Sequence, residues 1–199
     1  MTRTPPAALF ALALLAAPAA HADGAVVGQK APAFQLTDTD GLAHSLSDHA
    51  GKTVVLEWFN PDCPFVVYTH GEGGPLATQP ARVVNENTVW LAINSSAPGN
   101  QGHGVELNKA AAAEWQMDHP ILIDEDGTVG RLYGARTTPQ MFIVDTTGKL
   151  VYAGALDNSP LGKSQGEPTN YVSAALGQIG SEGGIKADNT KPYGCSVKY

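Results

Sequence analysis

Residues 53–64 read Thr-Val-Val-Leu-Glu-Trp-Phe-Asn-Pro-Asp-Cys-Pro, and this stretch decides the expected fold. Its first seven residues form a nearly continuous apolar run, which is typical of a strand buried on both faces of a sheet. The Asn-Pro-Asp that follows ends the strand, and Pro64 suits the first turn of a helix. We therefore expect Cys63 at a helix N-terminus, where unpaired backbone N–H groups favour the thiolate. The alternative is a small buried residue at a tight turn.

Outward from this stretch, predicted strands and helices alternate along the chain. A turn at residues 38–41, Asp-Thr-Asp-Gly, predicts an N-terminal β-hairpin. Periodicity and propensity predict the remaining elements: strands at 88–94, 121–124, 140–145 and 150–154, and helices at 105–117, 128–133 and 171–179. This order predicts an α/β fold with a central mixed sheet flanked by helices.

Residues 1–22 have the features of a cleaved signal peptide. Arg3 supplies a positive charge, residues 7–17 are apolar, and Ala20-His21-Ala22 fits the small-x-small rule for cleavage. The apolar run is too short for a stable membrane anchor, which needs roughly 20 residues. A retained N-terminal helix is the alternative. We expect a mature domain of residues 23–199 that is periplasmic or secreted and has no membrane partner after cleavage.

The charge and the histidine spacing exclude several functions. The chain has 12 Lys and Arg residues against 19 Asp and Glu residues, which gives a net charge of −7. It has no basic cluster that would neutralise phosphates, so nucleic acid is not an expected partner. The sequence also lacks Cys-x-x-Cys or His-x-x-x-His spacing, so neither a metal nor another cofactor is expected.

The two cysteines, Cys63 and Cys195, both lie in the expected mature domain. Disulfides persist outside the cytoplasm, so a bonded pair is expected rather than two free thiols. One bond that closes a loop of this length adds about 4–5 kcal/mol of stability in the chain-entropy model. The residues alone therefore leave two readings open, a structural disulfide and a redox-active pair.

Two segments resemble the thioredoxin superfamily. Residues 54–64 have the layout of its strand-loop-helix redox centre, and residues 132–145 resemble the segment that bears its cis-proline. The resemblance implies a thioredoxin-like fold with a cis bond between Thr138 and Pro139. Such a bond brings a backbone edge beside the nucleophile, where an extended substrate pairs. It also implies substrate contacts at Pro64, Thr138 and Pro139.

The sequence departs from the best-known members of that superfamily at three positions. Redox-active thioredoxins have a second cysteine three residues after the first, and this chain has Val66 there. The peroxidase branch places Thr or Ser three residues before its cysteine and Pro four residues before that. Here those positions hold Asn60 and Leu56. Asn60 remains a candidate donor of a hydrogen bond to a substrate oxygen.

The missing second thiol lies in residues 190–199, which we expect to form an ordered C-terminal arm because they combine Pro, Gly and alternating apolar residues. With Cys63 and residues 137–139, the arm resembles redoxin-domain proteins related to alkyl hydroperoxide reductases. That resemblance implies a Cys63–Cys195 disulfide, with Cys63 as nucleophile and Cys195 as resolving cysteine. The implied partners are disulfide-bearing proteins, small thiols or peroxides. The alternative is a non-catalytic binding or scaffold module in which the same bond only fastens the C-terminal arm to the domain.

Glu57 lies six residues before Cys63, inside the apolar strand. Some thioredoxins use a buried acid at that offset as a proton acceptor, so the resemblance implies a catalytic role for Glu57. Burial would raise the pKa of its carboxyl toward neutrality. The alternative is a side chain that reaches solvent or a lysine. His70 is two helical turns after Cys63, about 10 Å along the axis, and is expected to be too distant for a direct base.

Overall fold

A computed structural model describes residues 24–199, and the predicted signal peptide lies outside the described residues. The predicted α/β fold with a central mixed sheet is confirmed. The strands are β1 (Gln35–Asp38), β2 (Ala43–Ser45), β3 (Thr53–Trp58), β4 (Thr88–Asn94), β5 (Ile121–Ile123), β6 (Thr137–Thr138), β7 (Gln140–Val144), β8 (Leu150–Gly154) and β9 (Cys195–Ser196). The helices are α1 (Pro64–His70), α2 (Gln79–Val83), α3 (Val105–Glu114), α4 (Thr128–Tyr133) and α5 (Tyr171–Gln178).

The main sheet in the described part of the chain has seven strands in the order β2-β1-β5-β4-β3-β7-β8. Strand β3 pairs in parallel with β4 and antiparallel with β7, so it has a neighbour on each side. All six of its residues are buried. The apolar run that predicted this strand is therefore explained by packing on both faces of the sheet.

Alternate residues of β3 supply two separate cores, because successive side chains point to opposite faces of a strand. On one face, Trp58 packs against Phe142 and Tyr133, with ring centroids 5.1 and 5.4 Å away. On the other face, Val55 packs in a cluster that includes Trp90. The two cores hold the C-terminal end of β3 in place, and the chain turns there into α1.

Two short elements differ from the sequence-based expectation. Helix α2 was not predicted, because five residues that begin Gln-Pro give too short a pattern for helical periodicity. Strand β9 is two residues long and pairs with β6 in a separate two-stranded sheet. This pairing fixes the arm to the body of the domain. Within residues 24–199, no helix is long and apolar enough to cross a membrane.

Candidate active site

Cys63 stands at the junction of β3 and α1, as its sequence context predicts. It is the N-cap residue of α1, and Pro64 occupies the first turn of the helix. Its side chain is fully buried, and its Sγ donates a hydrogen bond to the carbonyl oxygen of Thr138 at 3.0 Å. The thiol of Cys63 therefore lies between the backbone of β6 and the start of helix α1.

The predicted cis peptide bond between Thr138 and Pro139 is confirmed. Both residues are buried beside Cys63. The hydroxyl of Thr138 has no hydrogen-bond partner while Cys63 is a thiol. The same hydroxyl favours the thiolate by hydrogen bonding to it, because an ionised sulfur is a far better acceptor.

The second cysteine reaches this site through the C-terminal arm. Strands β6 and β9 run antiparallel, and Cys195 lies directly opposite Thr138 in their register. Because Thr138 also accepts the hydrogen bond of Cys63, the pairing brings the side chains of the two cysteines close together. Both cysteines are free thiols in this structure, so the predicted disulfide remains a prediction.

The two thiols have opposite acidities. Burial raises the pKa of Cys63, but hydrogen bonds from the side chains of Cys195 and Thr138, and from the backbone of Val66 and Cys195, outweigh it and lower the pKa overall. Burial and the neighbouring Cys63 raise the pKa of Cys195 to about 11. The first proton therefore leaves Cys63, and Cys195 keeps its own to stabilise the resulting charge.

Glu57 does not have the raised pKa that the sequence suggested. It is fully buried, but its carboxylate accepts hydrogen bonds from His70 Nε2 at 2.7 Å and from the indole of Trp90 at 3.0 Å. Burial raises the pKa of Glu57. The charge and hydrogen bond of His70 lower it, with smaller contributions from His119 and Trp90, and these effects together outweigh burial, so the pKa is lowered overall. The expectation of a carboxyl that titrates near neutrality is therefore wrong.

His70 belongs to the candidate site through Glu57, a role that its spacing from Cys63 did not predict. It is two turns along α1 from Cys63, as expected, and its ring stacks on Trp115 with 5.4 Å between centroids. Its partner is Glu57 rather than the cysteine. The signal was present in the sequence, because a single acid in a buried strand needs a cationic or hydrogen-bonding partner nearby.

Asn60 is buried, and its side-chain amide is already hydrogen-bonded to other groups of the protein. Its amide donates to the carbonyl of Gln101 at 3.0 Å and to the hydroxyl of Ser96 at 3.3 Å, and its oxygen accepts from the backbone of Asp62. In the folded site these contacts tie the loop after β4 to the turn before Cys63. Pro64 is exposed at the rim of the site.

Two further features of this region concern charged and metal-binding groups. Arg136 is exposed, and its backbone carbonyl accepts a hydrogen bond from Val197 of the arm. Within residues 24–199, no cluster of three or more His, Cys, Asp or Glu side chains has the arrangement of a metal site.

Together, the sheet order, the cysteine at the head of α1 and the adjacent cis-proline define a thioredoxin-like thiol protein. Comparison with protein families narrows this class. Residues 27–153 match the AhpC/TSA family, and the chain belongs to that family. The match confirms the redoxin-type resemblance found in the sequence.

Individual relatives agree with this assignment. The thiol-disulfide oxidoreductase ResA of Geobacillus thermodenitrificans is 31% identical over 129 residues, covering 62% of this chain and 66% of ResA. The chain thus spans just under two thirds of that relative. Peroxiredoxin prdx-2 of Caenorhabditis elegans is 26% identical over 159 residues, covering 75% of this chain and 78% of the relative. The crystal structure of an uncharacterized conserved protein from Geobacillus kaustophilus matches with a TM-score of 0.71 and 31% identity, over 87% of this chain and 92% of that one.

Proposed function

We propose that this chain is an exported thiol oxidoreductase in which Cys63 is the nucleophile and Cys195 the resolving cysteine. The observation that carries the proposal is the pairing of Cys195 with Thr138, which holds the second thiol against Cys63 while both are reduced. The opposite pKa shifts support the division of roles. The more acidic thiol is the better attacker near neutral pH, and the less acidic one keeps its proton for the second step. Export rests on the sequence of residues 1–22.

Disulfide exchange uses these two thiols in order. The Cys63 thiolate attacks one sulfur of a substrate disulfide and expels the other sulfur as a thiolate. Cys195 then loses its proton and attacks the Cys63 sulfur of the mixed disulfide. This step releases the second substrate thiol and forms the Cys63–Cys195 bond. The substrate gains two electrons, and the cysteine pair loses two.

A hydroperoxide is a second candidate oxidant, favoured by the similarity to a peroxiredoxin. The Cys63 thiolate would attack one peroxide oxygen and become a sulfenic acid as the O–O bond breaks, and the other oxygen would leave, after protonation, as an alcohol or as water. Cys195 would then displace water and form the same disulfide. We rank this reaction second because Asn60 and Leu56 replace the expected peroxidase residues and Asn60 already bonds the neighbouring loop.

We assign different roles to the other predicted site residues. Thr138 binds Cys63 through its carbonyl and favours the thiolate through its hydroxyl, and Pro139 holds that edge in place. Pro64 contributes an exposed rim for a substrate. Glu57 is not retained as the proton acceptor, because His70 and Trp90 occupy its carboxylate oxygens and its pKa is lowered. We assign it to seating α1 against β3.

The test is turnover of a small disulfide reporter by the wild-type chain, Cys63→Ser and Cys195→Ser. We expect Cys63→Ser to be inactive and Cys195→Ser to stop at a mixed disulfide on Cys63. Equal rates for the wild type and Cys63→Ser would overturn the proposal. A reduction potential above about −270 mV fits a catalytic pair, whereas one below about −300 mV fits a bond that only fastens the arm.

A further inference from the structure

The backbone edge beside Cys63 is already filled by the chain itself. Strand β6 lies outside the main sheet, and its partner is β9 of the arm. An open strand edge at such a position accepts an extended polypeptide by adding a strand, with main-chain hydrogen bonds supplying affinity. Here residues 195–196 of the same chain make that pairing, so they occupy the edge at which an extended substrate would bind.

The arm is anchored on both sides of Cys195. Before it, the hydroxyl of Tyr193 donates to Asp157 at 2.6 Å, and its ring lies 5.8 Å from that of Phe65. After it, the arm is fixed by backbone and side-chain contacts. These are Val197 N to Arg136 O, Ala97 N to Lys198 O, Tyr199 Oη to Ala135 O at 2.7 Å, and the Arg131 guanidinium 4.5 Å above the Tyr199 ring.

This packing makes the two sulfurs unequal toward solvent. Cys63 is fully buried beneath the arm, whereas Cys195 is partly exposed. A thiol arriving at the oxidised pair therefore meets Cys195 first. Attack there expels Cys63, which is the better leaving group because its thiolate is the more stable of the two.

We infer that the arm occupies the polypeptide-binding edge and thereby selects small thiols, which exchange with the oxidised pair at Cys195. The inference rests on the proposed function and specifies its substrate class. A small thiolate attacks the Cys195 sulfur, forms a mixed disulfide there and releases Cys63 as a thiolate. A second small thiolate attacks the incoming sulfur of that mixed disulfide and releases the Cys195 thiolate, which takes up a proton. Two thiols become one disulfide, and the cysteine pair gains two electrons.

An extended peptide is excluded because it needs the edge that the arm covers. To admit one, the arm must give up the hydrogen bonds on both sides of Cys195. The combined cost of four such bonds slows reaction with the peptide by at least about 100-fold. A small thiol reaches Cys195 with the arm in place and does not incur this penalty.

The arm can be loosened without touching either cysteine. A Cβ at Gly130, in α4, would lie 2.5 Å from Tyr199 Oη, 2.6 Å from its ring and 2.8 Å from Ser95 Oγ, so Gly130→Ala displaces the Tyr199 ring and also crowds Ser95. Gly177, in α5, is the matched control, because a Cβ there has nothing within 4 Å. Both changes replace a helical glycine by the better helix former. Tyr199→Ala removes the same anchor from the side of the arm.

The experiment follows reduction of the oxidised protein by glutathione and by an extended peptide with one cysteine. We expect the wild type and Gly177→Ala to be reduced by glutathione at least about 100-fold faster than by the peptide. Gly130→Ala and Tyr199→Ala should accelerate only the peptide reaction. Acid-quenched tryptic digests should place the glutathione adduct on residues 187–198, which contain Cys195.

Three results would overturn the inference. These are equal glutathione and peptide rates in the wild type, equal acceleration of both thiols in the loosened variants, and a glutathione adduct on residues 53–82, which contain Cys63. Each of these leaves the proposed function standing if Cys63→Ser abolishes turnover. Loss of the proposed function would show instead as turnover that does not depend on Cys63.

Discussion

His70 Nε2 and Glu57 Oε1 are 2.7 Å apart, and neither side chain is more than 1% exposed. A hydrogen-bonded pair in such a place is costly to break, because removal of His70 leaves the Glu57 carboxylate buried without its nearest partner. The pair links β3 to the last turn of α1. It therefore holds the helix that begins at Cys63 against the strand that ends just before it.

We predict that His70→Leu lowers the free energy of unfolding by about 3–5 kcal/mol, as expected for a broken buried pair. Urea unfolding would measure it. The matched control is His103→Leu, because His103 and Glu125 are 3.0 Å apart but are 28% and 48% exposed. That change should cost about 1 kcal/mol or less.

The double variant Glu57→Leu/His70→Leu separates the cost of an unpaired carboxylate from the cost of poor packing. Replacing both polar side chains by apolar ones removes the unpaired carboxylate, so the double variant should be more stable than His70→Leu alone. If the double variant is instead the less stable of the two, the cost lies in packing and the explanation by an unpaired carboxylate is wrong.

Loss of stability in acid should arise from His119, which lies close to the pair of His70 and Glu57. Burial is the largest effect on His119 and lowers its pKa from 6.5 to about 4. Its Nε2 is buried with no hydrogen-bond partner. Below pH 6.5 the unfolded chain therefore binds a proton there that the folded chain does not. The free energy of unfolding should fall by about 3 kcal/mol between pH 6.5 and about pH 4.

His119→Gln should flatten this part of the stability curve, because glutamine does not titrate. Chemical unfolding at several pH values checks the prediction. His103→Gln is the control, because His103 is 28% exposed and pairs with a half-exposed Glu125. The prediction fails if His119→Gln and the wild type lose the same stability between pH 6.5 and pH 4.

The fold could be predicted from the sequence because the patterns that determine it are local. The apolar run of β3 gave a strand buried on both faces, and the Gly-bounded helix at residues 128–133 has the predicted ends. Proline at position 64 likewise fixed the start of α1. Each of these features depends on residues within a few positions of one another, which is the range over which a pattern in sequence is informative.

The electrostatics of the site were less predictable because they depend on contacts between distant segments. Helical spacing placed His70 two turns from Cys63, but it gave no indication that the turn after β3 brings His70 back to Glu57. The pairing of Cys195 with Thr138 joins two-residue strands, which are too short to have periodicity. The same holds for Tyr199, whose anchor on α4 left no recognisable pattern.

We predict that Cys195→Ala raises the pKa of Cys63, because it removes the hydrogen bond that the Cys195 side chain donates to the thiolate. The ultraviolet absorbance of the thiolate during a pH titration would measure it. Cys195→Ser retains a donor and should raise the pKa less. The wild-type chain should titrate in two steps, the second near pH 11.

Thr138→Val tests the second donor at the same sulfur. Valine keeps the shape of threonine without the hydroxyl, so the pKa of Cys63 should rise while the arm stays paired with β6 through the backbone. An unchanged pKa in both Thr138→Val and Cys195→Ala would mean that side-chain hydrogen bonds do not set the acidity of Cys63.

Gly194 provides the most direct test of how the arm meets the active site. Its φ is +125°, and a Cβ there would collide with the carbonyl oxygen and carbon of Thr138. Any side chain at this position must therefore push the arm off β6, which separates Cys195 from Cys63. We predict that Gly194→Ala greatly slows formation of the Cys63–Cys195 disulfide by oxidised glutathione and leaves a glutathione adduct on Cys63.

Backbone strain alone would not explain that result, and Gly183→Ala controls for it. Gly183 also has a positive φ, +97°, but a Cβ there has nothing within 4 Å. Both variants thus force alanine into a strained conformation that costs about 1–3 kcal/mol, and only Gly194→Ala adds the collision with Thr138. The Gly183 variant should therefore form the disulfide at the wild-type rate. If both variants form it equally slowly, strain or lost stability is the cause, and the close approach of Gly194 to Thr138 does not control the assembly of the cysteine pair.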